Sequence, residues 1–132
     1  MIGVDTNVLV RFLATDDLTQ NERARRFFAE RNAADPAFIS AMTLAETIWV
    51  LHRRLKFPMP DIIAVVRGLL ASEGLLFEHA EQLELLSRDD RVPKIDMADH
   101  LIVWAGNAAG CSRTVTFDRA AAKSVAGMEL LT

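Results

Sequence analysis

Apolar runs of only three or four residues recur along this chain, several of them passing directly into polar turn residues and then into a stretch of helical spacing. Ile2-Gly3-Val4 leads into Asp5-Thr6-Asn7, and Ala37-Phe38-Ile39-Ser40 leads into a segment where Leu44, Ile48, Leu51 and Leu55 share one helical face. Leu75-Leu76-Phe77 follows Gly74 and precedes a helical stretch from Ala80 to Ser87. Arg113-Thr114-Val115-Thr116-Phe117 leads into Asp118 and a small-residue helix, and Met128-Glu129-Leu130-Leu131 reads as a last edge strand. Short buried strands alternating with helices are the mark of a mostly parallel sheet covered on both faces. The expected fold is therefore α/β, one domain over residues 1–132, with a mostly parallel central sheet of four to five strands flanked by helices on both sides.

The remaining segments fill in the connections. Val8 to Leu13 suggests a short helix, and a second begins near Thr19 with Glu22 completing a capping box. Asp35-Pro36 breaks it. The Ala41 to Leu55 helix gives way to the linker Phe57-Pro58-Met59-Pro60, and Pro60-Asp61 opens a helix through Leu70. Asp96 to Ala109 is helical, with Gly110 as its left-handed cap. At 132 residues the chain has the size of one ordinary domain.

No apolar run reaches the ~18 residues of a membrane span, because Arg11, Arg53 and Arg67 interrupt the candidates. The start Met1-Ile2-Gly3-Val4-Asp5 lacks the pattern of a secretory signal. A single cysteine, Cys111, cannot form an internal disulfide, so a cytoplasmic location is expected. The net charge of −3 argues against holding nucleic acid by bulk positive charge, although a local basic face is compatible with it.

In doubly wound sheets ligands sit where strands turn into helices at their carboxyl ends, and acids occupy those positions here. Asp5 follows the first strand and Asp118 the fourth; Glu46 lies about a helical turn beyond the second; Asp96 and Asp99 open the helix before the fourth. Carboxylates gathered at one sheet edge repel unless they protonate or a cation balances them. Oxygen ligands without Cys or His suit a hard ion such as Mg²⁺ or Mn²⁺, and such an ion serves phosphodiester cleavage. Each acid also has a plainer role. Asp5, Asp96 and Asp118 are natural helix N-caps, Asp99 favours the helix dipole, and Glu46 fits a partly exposed helix edge.

The ordered set Asp5-Thr6-Asn7-Val8-Leu9, Ser40-Ala41-Met42-Thr43-Leu44-Ala45-Glu46-Thr47-Ile48-Trp49-Val50-Leu51, Asp96-Met97-Ala98-Asp99 and Thr116-Phe117-Asp118 resembles the PIN-domain nucleases. Within them it is most similar to the VapC-type toxins of prokaryotic toxin–antitoxin pairs. The resemblance covers essentially the whole chain, apart from Pro58 to Lys94, where no motif aligns. It implies a PIN-like fold and metal ligation by Asp5, Glu46, Asp99 and Asp118, with Asp96 as a further acid of the toxin subgroup. Thr6, Asn7 and Thr116 would stand as polar supports beside the metal. The implied activity is a Mg²⁺- or Mn²⁺-dependent endoribonuclease using one or two ions, which cleaves RNA and arrests translation. A homodimer and a VapB-like antitoxin are the implied partners.

Other groups have weaker claims. Arg11, Arg53 and Arg54 are candidates for gripping RNA phosphates; Trp49 and Trp104 are expected in the core. His100 neighbours Asp99 but turns about 100° away on a helix. A phosphoacceptor receiver-like signalling domain with an acidic Mg-binding pocket is the rival reading. It needs an aspartate where the third strand runs into Glu78-His79, and a late-strand lysine that this sequence lacks.

Overall fold

The computed structural model describes residues 1–90 and 97–132. Among these residues five strands alternate with seven α-helices: β1 (Ile2–Gly3), α1 (Thr6–Leu13), α2 (Leu18–Ala29), β2 (Ala37–Ile39), α3 (Ala41–Trp49), α4 (Met59–Leu70), β3 (Leu75–Phe77), α5 (Ala80–Arg88), α6 (Met97–Ala108), β4 (Thr114–Thr116), α7 (Arg119–Ser124) and β5 (Met128–Leu130). Every strand pair among them is parallel, as the alternation of short apolar runs with helices requires. Gly3 pairs with Phe38, Phe38 with Leu76, and Val115 with Glu129.

The hydrogen-bonded ladder is divided. β1-β2-β3 form one sheet and β4-β5 another, where the sequence suggests a single sheet of four to five strands. The core divides in the same way. Leu9, Ile39, Leu44, Leu51, Ile62 and Leu83 anchor the main cluster, whereas Val103, Ala121, Val125 and Met128 form a second one. Trp104 packs against both. The physical reason lies in α6: the β4–α7–β5 unit buries its apolar residues against the second half of that helix. The approach is close at Gly127, whose φ of +91° suits glycine and where a Cβ would stand 2.8 Å from Val103 Cγ1.

Helix α1 packs on α2 and α3, α3 on α6, and α4 on α5 and β3. Local chemistry explains most boundaries. Asp17, rather than Thr19, caps α2 by accepting from the Gln20 N–H at 2.9 Å. Ser40 caps α3 by accepting from Thr43 N. The helix expected through Leu55 ends at Trp49 and continues as a π-helical turn, Val50–Arg54, before Lys56 turns left-handed at φ 59°. Gly110 takes φ +95° just beyond α6, as its cap position predicts. The predicted start of that helix at Asp96 lies outside the described residues.

Before β1, the N-terminal ammonium donates to Asp35 Oδ1 at 2.8 Å, and Arg31 donates to Asp35 Oδ2 at 2.6 Å. The Arg31 guanidinium rests 4.8 Å from the Phe27 ring centroid. The ammonium, helped by Arg31, holds the Asp35 carboxyl below the ordinary carboxylate range.

Candidate active site

Asp5 occupies the N-cap position of α1, two residues past the end of β1, but its side chain makes no capping hydrogen bond. Its backbone carbonyl starts the helix by accepting from Val8 and Leu9, which leaves the exposed carboxylate out of the local structure. An aspartate at an N-cap normally satisfies an open helical N–H, so this one is placed for something else. Thr6 is buried at the first helical position; Asn7 is exposed. Asp5 and Asn7 line a cleft of about 530 Å³ between β1 and the first two helices, with Val8 and Phe27 among its apolar walls.

Two contacts bind the start of α3 to the strand ends. The Thr43 hydroxyl donates to the Val4 carbonyl at 3.1 Å, immediately before Asp5. The Glu78 carboxylate, just past β3, accepts from the Ala41 N–H at 2.7 Å. The first helical turn of α3 is thereby held by both neighbouring strands. Helix α3 in turn carries Glu46, which is exposed together with Met42, Trp49 and Arg53. These positions recur at four, three and four residues, one stripe of a helical surface. Trp49, expected in the core, is 56% exposed. Its place on the outer stripe follows from the burial of Leu44, Thr47, Ile48 and Leu51 on the opposite side.

Asp99 lies half-buried in the first turn of α6, and α3, which bears Glu46, packs on both α6 and the α1 helix that Asp5 precedes. Asp96 falls outside the described residues. Asp118 belongs to the other sheet. It is the N-cap of α7, its Oδ1 accepting from Ala121 N at 3.0 Å, and its own N–H donates to Thr116 Oγ1 at 3.0 Å. The capping role is therefore real for Asp118 and absent for Asp5. Among the described residues no three His, Cys, Asp or Glu side chains converge closely enough to hold a metal ion. Asp5 and Asp118 follow strands of different sheets among the described residues.

Arg11 is engaged: its Nη1 meets both Asp16 carboxylate oxygens and its Nε donates to Gln20. Arg53 and Arg54 are exposed on the π-helical turn. His100 is buried, with its ring 6.0 Å from Trp104. Glu78 is the polar residue that sequence reasoning passed over. Its signal was available, since it follows β3 as Asp5 follows β1, and its carboxylate serves α3 rather than accepting a phosphoryl group as the receiver reading would need.

The family model for the PIN domain matches residues 2–127. No curated protein matches the chain. Among the described residues no helix is long and apolar enough to cross a membrane.

Proposed function

Because this chain belongs to the PIN-domain family, whose members are metal-dependent nucleases, we propose that it is an endoribonuclease and the toxin of a VapBC-type toxin–antitoxin pair. The observation that carries the reading is Asp5. Its carboxylate stands at the strand end within the matched region and is left uncommitted by the helix it precedes. Asp5, Glu46, Asp99 and Asp118 are hard oxygen donors, so the donor set fits Mg²⁺ or Mn²⁺ rather than a softer metal. Asp96 is a further acid for the same site. When bound, such an ion activates water and stabilises charge on the phosphate during in-line displacement.

The chain's own residues supply the rest. Thr43 and Glu78 fix the start of α3, and with it the helix carrying Glu46. Thr116 orients the Asp118 backbone through its hydroxyl, and Thr6 and Asn7 flank Asp5. Exposed Trp49 offers a stacking face beside Glu46, and Arg53 and Arg54 offer phosphate contacts close by. RNA is the substrate, cleaved to a 5′-phosphate and a 3′-hydroxyl. An antitoxin of VapB type restrains the enzyme by placing a basic side chain among the carboxylates, and the toxin works as a homodimer.

The test is cleavage of total RNA by the purified protein with magnesium or manganese, followed by mapping of the cut ends. Activity that vanishes with chelator and falls at least a hundredfold in Asp5→Asn and Asp99→Asn is expected. Cleavage indifferent to chelator and to both substitutions would refute the assignment.

A further inference from the structure

The β4–β5 pair has two unlike faces. Met128, opposite Thr114, is buried in the cluster that Val103, Ala121 and Val125 form with α6. Val115 and its register partner Glu129 alternate with those residues and are exposed. Phe117, one residue past β4, is 80% exposed, the most exposed large apolar side chain among the described residues. A phenyl ring left in water adds little to the fold, so its place beside Asp118 asks for another explanation.

The backbone around this ring is firmly held. The Leu131 N–H donates to the Thr116 carbonyl at 2.8 Å, and the Asp118 N–H donates to Thr116 Oγ1 at 3.0 Å. Asp118 Oδ1 in turn accepts from Ala121 N at 3.0 Å. With both neighbours fixed, only the two side-chain torsions of Phe117 remain to be ordered when something binds, which keeps the entropic cost small.

Resting on the nuclease reading of Asp118, we propose that Phe117 is a specificity-determining residue whose ring stacks on an unpaired base next to the phosphate held at Asp118. The setting favours a nucleic-acid base over an apolar peptide. Exposed arginines flank the ring along the chain, Arg113 on one side and Arg119 on the other. Arg113 meets Glu129 at 3.4 Å in an exposed pair, which a phosphate replaces at little cost. Aromatic faces set among cations are the pattern of single-strand binding. Such a ring reads no sequence, because every base has a π-face, but it requires a base that has left the duplex stack. The substrate class that follows is RNA unpaired at the cleavage point.

The test uses a short RNA with one cut site, a copy with an abasic residue beside that site, and the same strand annealed to its complement. Phe117→Ala is expected to lower kcat/KM on the single strand by about 5- to 150-fold, mainly through KM, while Phe117→Trp stays within about threefold of wild type. Phe117→Leu keeps an apolar side chain without a π-face and falls with the alanine variant. On the abasic strand wild type loses as much and Phe117→Ala loses nothing further; the duplex resists cleavage. Anisotropy of a labelled single strand in the Asp5→Asn background reads the same contact without turnover. There Phe117→Ala weakens binding by a similar factor, whereas Leu85→Ala, at a side chain 72% exposed on α5, leaves it unchanged. Equal kcat/KM and equal affinity for the wild-type and alanine chains would overturn the proposal, as would a leucine variant as good as wild type or an alanine loss undiminished on the abasic strand. Chelator-sensitive cleavage that Asp5→Asn abolishes and Phe117→Ala leaves intact would remove the stacking role and keep the nuclease assignment. If no chain cleaves RNA, the nuclease assignment fails, and the anisotropy difference alone decides the stacking contact.

Discussion

Replacing Thr43 with valine removes one hydroxyl and little else. Thr43 is 8% exposed, and its Oγ1 donates to the Val4 carbonyl at 3.1 Å across the gap between α3 and β1. Valine keeps the volume and has nearly the same helix propensity, so packing and propensity contribute little. The capping bond survives, because it runs from the Thr43 backbone N–H to Ser40 Oγ. What is lost is the donor for a carbonyl at the sheet edge, together with the acceptor for the Ser40 hydroxyl at 3.1 Å, and leaving the buried carbonyl unsatisfied costs about 1–3 kcal/mol. For a domain of this size that is a fall in Tm of roughly 3–10 °C. Thr47→Val is the matched control. Thr47 is more deeply buried, at 1% exposure, but its hydroxyl donates at 2.7 Å to the Thr43 carbonyl within the same helix. That carbonyl keeps its helical partner, so the control is expected to cost under about 1 kcal/mol. Urea denaturation of both variants, read at constant m-value, measures the difference. A Thr47→Val loss equal to or above that of Thr43→Val would refute the argument that this cross-element bond ties α3 to β1.

The two strand-end aspartates are expected to part company in stability: Asp118→Ala should cost about 1 kcal/mol through its lost cap, and Asp5→Ala within about 0.5 kcal/mol of none, by the same denaturation assay. Gly68 lies within α4 with open space where an alanine methyl would sit, so Gly68→Ala should gain about 0.5–1 kcal/mol. Gly127→Ala meets both a left-handed φ and Val103, and should cost more than that gain. Asp35 has its carboxyl held below the unfolded value near 4, so its contribution is present above pH 4 and fades as pH falls through the lower folded value. Asp35→Asn should therefore flatten the acid limb of a stability profile from pH 5 to pH 2.5, and an unchanged limb would refute the role of the ammonium contact.

Short apolar runs, their polar successors and the helical spacing between them were enough to establish an α/β chain with parallel strands, because those properties belong to local backbone geometry and to burial periodicity. The same local logic put Gly110 in a left-handed cap, marked Asp118 as an N-cap, and directed attention to Asp5 at a strand end. Three decisions needed the third dimension. Asp5 and Asp118 look equivalent in sequence, each following an apolar strand and preceding a helix, yet only Asp118 spends its carboxylate on capping. Trp49 reads as core from its neighbours, whereas the angular position of α3 against β1 and α6 turns it outward with Glu46. Above all, the pattern that says a strand is apolar does not say which edge it joins. Ala121, Val125 and Met128 of the β4–α7–β5 unit pack around Val103 of α6, and β4 pairs with β5 and not with β1; that choice rests on contacts between residues far apart in the chain, which no short window of sequence contains.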